Sequence, residues 1–240
     1  SQNTTINDNI FRDSRPSSSP QAIWLLSSAT GSSLDNNTFL NINGSASISF
    51  LTSAGSFNIS NSNITNCATG FSLSSADNIQ VWNSTISSCT KFFSIDSSNN
   101  LRIYNVTFNK SRTDFAADGN GFMQVYHWFA ANVSDQNNAP VQSASVDLRD
   151  RFGSLFWNGV STASSGLTSY DWIMEYNQTG DANYSSGCTG STSYINCSTP
   201  HNVTASKTGY STNSTNITID QNKVGLVIIS TPYILAYVPT

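Results

Sequence analysis

The sequence predicts an all-β protein in two parts, a stack of short repeats followed by a set of alternating strands. Three observations predict it. The chain is 38% hydrophobic but only 10% charged, and its polarity comes from Ser, Thr and Asn. Thr and Asn suit strands and tight bends, while the helix fillers Lys and Glu are scarce. Aromatics stand at 11%, with 13 Phe, 9 Tyr and 5 Trp, which builds cores rather than a disordered polar chain. Finally, a 22-residue repeat fills the first half and gives way after Phe115 to a different pattern.

The repeat is read in register. Phe57-Asn-Ile-Ser-Asn61-Ser-Asn-Ile64 matches Ile79-Gln-Val-Trp-Asn83-Ser-Thr-Ile86 and Leu101-Arg-Ile-Tyr-Asn105-Val-Thr-Phe108. Downstream, Cys67 aligns with Cys89 and Ser111, Phe71 with Phe93 and Phe115, and Leu73 with Ile95. Two degenerate copies precede these. Ile6-Asn-Asp8-Asn-Ile-Phe11 leads to Ile23 and Leu25, and Leu34-Asp-Asn36-Asn-Thr-Phe39 leads to Ile48 and Phe50. Each copy alternates apolar and polar residues, the signature of strands with one buried face. A unit this short cannot bury that face alone and must stack on its neighbours. Asp8, Asn36, Asn61, Asn83 and Asn105 recur at one place, just after a strand. Asn tolerates left-handed backbone and bonds local amides, so a bend is expected there on every rung. Ile64, Ile86 and Phe108 are expected in one interior column.

These repeats resemble the right-handed parallel β-helix of the pectate-lyase-like superfamily. The Leu-x-x-Leu-x-Leu frame of leucine-rich repeats is absent. The resemblance implies about five rungs over residues 1–116. In such a stack the rungs lie about 4.8 Å apart, so Cys67 and Cys89 become vertical neighbours within disulfide reach. Bonding and simple stacking both remain open for that pair.

Residues 117–121 read as a turn-rich junction, and residues 122–231 as a second domain. Its landmarks are Asp135, Pro140-Val141, Ala144-Ser-Val146, Asp150-Arg-Phe-Gly153 and Lys207-Thr-Gly-Tyr210. They resemble the immunoglobulin-like or transthyretin-like sandwich of the carboxypeptidase regulatory-like group. Strands at turn spacings of about 8 to 12 residues agree with a sandwich. The stretch from Tyr170 to Cys197 is longer than that pattern requires and reads as a decorated loop. Residues 232–240 form a C-terminal tail.

Asn-X-Ser/Thr occurs at Asn3, Asn36, Asn43, Asn58, Asn63, Asn83, Asn105, Asn109, Asn132, Asn177, Asn183, Asn196, Asn202, Asn213 and Asn216, 15 of the 29 Asn. Chance at this Ser/Thr content gives roughly eight by the acceptor rule, so the excess points to an N-glycosylated extracellular, cell-surface protein. Asn36, Asn83 and Asn105 are both bend positions and acceptors, and some of them are expected to stay bare. Cys188 and Cys197 bracket a Gly/Ser/Thr/Tyr loop and are expected to form a local disulfide. A first residue of Ser rather than Met fits a removed signal peptide or a trimmed chain. No stretch is apolar enough for a transmembrane helix.

The chemistry-bearing residues predict no enzyme. A net charge of −4 gives no footprint for nucleic acid or an anionic membrane. His127 and His201 lack ligand spacing, and no Cys-x-x-Cys occurs, so no metal or cofactor is expected. Polysaccharide hydrolysis needs paired carboxylates on neighbouring rungs. Asp8, Asp13, Asp35, Asp77, Asp96 and Asp114 do not stack at equivalent positions. Trp82 and Tyr104 are expected to face outward on adjacent rungs, where they could contact glycan or protein.

Two readings follow. One is a structural extracellular glycoprotein, a subunit of a cell-surface filament or surface layer that assembles with copies of itself, head to tail. The other is a secreted carbohydrate-binding or polysaccharide-active β-helix protein. For the first, an uncapped first rung offers free amides. The uncharged segment Tyr233, Ile234, Leu235, Ala236, Tyr237 and Val238 offers a donor strand to the next copy.

Overall fold

The computed structural model of the chain describes residues 4–14, 21–25, 31–44, 46–51, 55–96, 100–115, 121–180, 188 and 194–231. The chain divides into two units, residues 1–126 with 174–197, and residues 127–173 with 198–240.

The first unit is a β-solenoid of about 4 turns. The first turn holds β1 (Thr5–Asn7), β2 (Ile10–Ser14) and β3 (Gln21–Leu25). The second holds β4 (Ser33–Asp35), β5 (Thr38–Ile42) and β6 (Ala46–Leu51). Next come β7 (Phe57–Ser60), β8 (Asn63–Cys67) and β9 (Thr69–Ser74). The fourth turn is β10 (Ile79–Trp82), β11 (Thr85–Ser87) and β12 (Lys91–Asp96). Corresponding strands pair in parallel, giving ladders β1-β4-β7-β10, β2-β5-β8-β11 and β3-β6-β9-β12.

Register fixes the interior. Ile6, Leu34, Ile59, Val81 and Ile103 stack in one column, and Phe11, Phe39, Ile64 and Ile86 in another. From Leu34 and Phe39 onward these side chains are almost fully buried. In the first ladder, alternation leaves the intervening residues of β7, β10 and β13 facing out. Phe108, expected in the second column, is partly buried against the same core and meets Phe93 edge-on.

The fifth turn is incomplete, against the expected five rungs. β13 (Leu101–Tyr104) and β14 (Thr113–Phe115) form. The strand between them is reduced to a single bridge, Thr85 to Thr107, followed by a 3-10 turn at Lys110–Arg112. Asn109 caps that turn by accepting the Ser111 amide hydrogen at 3.1 Å. The shortened path places Thr113 opposite Phe93 and Phe115 opposite Ile95. The sequence alignment of Phe93 with Phe115, and of Cys89 with Ser111, is corrected accordingly.

The repeat also runs one strand past Phe115. In β15 (Met123–Ser134), Met123, Val125 and Tyr126 pair with Leu101, Ile103 and Tyr104. Met174–Cys197 also belongs to this unit, because Tyr176, Cys188, Ile195 and Cys197 are buried in its core. Of the 117–121 junction, only Gly121 lies within the described residues.

Asp8, Asn36, Asn61, Asn83 and Asn105 all have left-handed backbone, with φ between 46° and 58°. From the second corner onward the residue after it is buried: Asn37, Ser62, Ser84 and Val106. Asn37 is buried and donates from Nδ2 to the carbonyls of Ile6 and Asp35 at 2.8 and 3.0 Å. Ser62 and Ser84 continue this column, each hydroxyl accepting an amide hydrogen from the preceding rung. The buried corner thus satisfies its own backbone groups along the stack.

The second unit holds the rest of β15 and β16 (Ser145–Arg149), β17 (Leu155–Ser161), β18 (Asp171–Gln178), whose first residues lie here, β20 (His201–Ser206), β21 (Asn213–Ile217) and β22 (Lys223–Ile228). The intervening β19 (Ile195–Cys197) pairs with Tyr176–Gln178 in the first unit. An antiparallel sheet has the order β17-β16-β20-β21, and Phe129–Ser134 of β15 pairs in parallel with β22. Phe129, Val133, Val146, Leu148, Trp157, Val203, Val227 and Ile229 share one core. The β16–β17 hairpin turns on buried Asp150, whose Oδ1 accepts the amide hydrogens of Phe152 and Ser154 at 2.8 Å. Gly153 supplies the positive φ of 88° that this turn requires.

Candidate functional surface

The outer face of the first solenoid ladder carries the aromatic residues singled out in the sequence. Because Ile79, Val81, Leu101, Ile103, Met123 and Val125 point inward, the residues between them form two outward columns. One runs Asn58, Gln80, Arg102, Gln124, and the other Ser60, Trp82, Tyr104, Tyr126. The Trp82 and Tyr104 rings stack with centroids 3.7 Å apart and planes 8° from parallel. Tyr104 and Tyr126 follow at 4.9 Å and 17°. Trp82 is steadied by donation from Nε1 to Gln80 Oε1 at 3.2 Å. Tyr126 was missed as a member, although Met123-Gln-Val-Tyr126 repeats the spacing of Leu101-Arg-Ile-Tyr104.

Stacking at rung spacing decides what this ladder can do. The rings present their faces to one another along the stack, so within the ladder those faces are spent on packing. A sugar-stacking platform instead needs ring faces open to solvent. The ladder therefore holds successive rungs together, at about 0.5–1.5 kcal/mol per aromatic pair beyond area burial. Burial raises the Tyr126 phenol above its ordinary pKa, with a further push from the Tyr104 phenol and an opposing pull from Arg102.

At the N-terminal end of this face Asp35 is held as a carboxylate. Ser60 Oγ donates to its Oδ1 at 2.6 Å and Asn61 Nδ2 at 2.8 Å, and these two bonds lower its pKa. Asp8 Oδ1 accepts from Asn36 Nδ2 at 2.6 Å, and Asp114 pairs with Lys91. A buried pair that the sequence did not reveal joins Lys110 to Glu175 at 2.5 Å. Its partners are 65 positions apart in the chain, and no local pattern announces them.

The other expected sites fall as follows. Cys67 is bonded to Cys89 across one rung, and Cys188 to Cys197 over a sequence separation of 9. Asn3 and Asn183 lie outside the described residues, as does the whole assembly segment Tyr233 to Val238. The other acceptor asparagines are exposed (Asn36, Asn43, Asn58, Asn63, Asn83, Asn109, Asn196, Asn213, Asn216) or half-buried (Asn105, Asn132, Asn177, Asn202). His127 and His201 are buried on β15 and β20. Among the described residues no three His, Cys, Asp or Glu side chains gather, and no helix is long and apolar enough to cross a membrane.

Parallel rungs with a left-handed Asp or Asn corner define the repeat of this chain. The family described as periplasmic copper-binding protein (NosD) matches residues 1–142. The chain belongs to the NosD family. The match covers the whole NosD-like solenoid path from β1 to β14 and the Met123–Tyr126 strand that extends it. Among curated proteins none matches the chain. Two disulfides require an oxidising compartment, so this NosD-family chain is an extracellular or periplasmic β-solenoid protein.

Proposed function

We propose that the chain is a glycosylated structural protein of the cell surface, a subunit of a filament or surface layer whose copies join through β-strand contacts. The observation that carries this reading is the placement of the acceptor asparagines. Every one within the described residues is exposed or half-buried, although the same chain buries Asn37 in a corner. Glycans along the outside of the solenoid would shield it, while hydrogen-bonded ladders run along its corners. The second unit fits an immunoglobulin-like module, a reading supported by the parallel pairing of its first strand with its last and the antiparallel sheet between them. Strand addition by Tyr233–Val238 of a neighbouring copy would add main-chain hydrogen bonds to a sheet edge, and β22, which pairs with β15 in its sheet and exposes Val224, Leu226 and Ile228, is the edge proposed to receive it.

The reading is of a non-catalytic protein. Its support is that Asp8, Asp35 and Asp114 are engaged by Asn36, by Ser60 and Asn61, and by Lys91. Copper ligation, the property in the family's description, is not supported by the donors among the described residues. All four thiols are consumed in disulfides, and the two imidazoles sit on separate strands without a third donor among the described residues.

Electron microscopy of native material tests assembly, and glycopeptide mass spectrometry tests the coat. Ordered filaments or sheets that disappear on deletion of residues 232–240 are expected, together with glycans on acceptors in both units. Dispersed monomers with bare asparagines would overturn the proposal.

A further inference from the structure

The second unit contains an open cleft of about 390 Å³ lined by Trp128, Tyr170, Asp171 and Trp172. Its walls are built by local chain logic. In β15 Phe129 turns into the core and Trp128 outward, and the Trp128 amide donates to Asn222 Oδ1 at 3.0 Å. At the start of β18 Ile173 is buried, which turns Trp172 the other way. Tyr170 is 60% exposed, with its ring edge-on to Trp128 at a centroid distance of 5.0 Å and 88° between planes. Asp171 is fixed from two sides. Its Oδ2 accepts from Trp157 Nε1 at 3.1 Å, and its Oδ1 from the Trp172 amide at 2.8 Å.

Three large aromatic side chains sharing an open surface are costly unless something covers them. The cleft volume lies within the range of about 300–1,000 Å³ for small-molecule sites, which combine apolar walls with a few convergent polar groups. Here the polar group is a carboxylate whose two oxygens each accept one N–H and keep a lone pair for another donor. That is an acceptor for two adjacent hydroxyl groups. Its charge is already met by two N–H donors, which weakens its hold on a cation. Aromatic faces beside a divalent hydroxyl acceptor match a pyranose ring, which has an apolar C–H face and hydroxyl edges. One carboxylate is not a hydrolytic pair, since glycoside cleavage uses two.

We propose that this cleft binds a neutral saccharide, with a pyranose face against the Tyr170 and Trp172 rings and adjacent hydroxyls donating to Asp171. The site differs from the solenoid ladder, whose rings spend their faces on each other. It holds whether or not the chain polymerises.

The test is a titration of the full chain, followed by tryptophan fluorescence and calorimetry. The probes are chito-, cello-, laminari- and manno-oligosaccharides, with tetramethylammonium chloride as the cation control. At least one oligosaccharide is expected to saturate with a Kd of about 1 mM or tighter. Tyr170→Ala, at an exposed position, should weaken it about tenfold, and Asp171→Asn by a similar factor. Trp82→Ala on the solenoid should leave it unchanged. The proposal is overturned if no oligosaccharide saturates or if only tetramethylammonium does. It is equally overturned if folded Tyr170→Ala, judged by an unchanged near-ultraviolet dichroism envelope, binds like the parent.

Discussion

Cys67 and Cys89 occupy the same place on successive rungs and are joined by a disulfide, with their Cα atoms 4.4 Å apart. The bond runs along the stack, parallel to the backbone hydrogen bonds of the ladder beside it. It closes a loop of one full turn, 22 residues in sequence. Such a loop is worth about 3 kcal/mol through the unfolded chain. The double variant Cys67→Ser, Cys89→Ser should lose about that much in denaturant unfolding. A loss below about 1 kcal/mol would mean the unfolded chain gains little freedom from the cut.

The aromatic ladder gives a second prediction. Trp82→Ala and Tyr104→Ala should each destabilise the solenoid. The double variant should show a coupling of about 1 kcal/mol, because the rings act on each other rather than on solvent. Strict additivity in a double-mutant cycle would contradict the stacking.

Two titrations report the same face from opposite ends of the pH scale. Tyr126 has its folded pKa raised by burial and by Tyr104, so the folded state keeps its proton longer than the unfolded chain. Its contribution to stability is fully present below the ordinary tyrosine value and is lost as pH rises through the folded value. Tyrosinate absorbance should show one phenol titrating late. Asp35 is the reverse case, lowered by donation from Ser60 and Asn61. Its contribution is present above the ordinary carboxyl value and lost as pH falls through the folded one. Ser60→Ala should move the Asp35 midpoint upward in a carboxyl-carbon NMR titration.

Lys110 and Glu175 form a pair with the carboxylate fully buried. Replacing Lys110 with Ala should cost about 3–5 kcal/mol, the usual penalty for stranding one member of a buried pair. Lys110→Arg, which keeps the charge, should recover part of that loss. Equal stability of both variants to the parent in thermal unfolding would contradict the pairing.

Glycan occupancy should follow the direction of each side-chain amide. Asn36 and Asn105 donate from Nδ2, the atom that would carry a sugar, to the preceding rung at 2.6 and 2.8 Å. Asn63 instead uses Oδ1, which accepts from Thr65 of its own acceptor triplet. Site-resolved mass spectrometry should find Asn63 occupied and Asn36 and Asn105 largely bare. The opposite order would show that the corner bonds yield to glycosylation.

Much of the solenoid could be read from the chain because its repeat is written in chemistry that admits few substitutes. Inward Ile, Leu, Val and Phe alternate with outward residues in β7, β10 and β13, and only a residue tolerant of left-handed backbone can follow the first strand, hence Asp8, Asn36, Asn61, Asn83 and Asn105. The other corners were missed. Asn41, Asn66 and Ser88 take positive φ, as do Asn78 and Asn100, but their residue types and spacing drift from turn to turn. Phe115 misled by matching the expected pattern while the chain before it was shortened by the 3-10 turn. The return of Tyr176 and Ile195 to the solenoid core is a long-range packing event that no local periodicity encodes. For the candidate site, the outward placement of Trp82 and Tyr104 was legible from alternation. Their mutual stacking depends on the rung spacing.

The turns are not equal in length. Partners on neighbouring rungs are 28 residues apart at first, then 25, then 22. Yet Ile6 to Phe11, Leu34 to Phe39, Ile59 to Ile64 and Val81 to Ile86 are identical steps, so the first corner never changes. All the variation falls between the second strand and the next turn's first. Growth and loss are thus confined to one side of the coil, while the Asn-bearing edge stays invariant like the spine of a bound book. New segments can enter on the opposite margin without disturbing the inward columns, which makes that margin the place where such a solenoid can acquire new specificity.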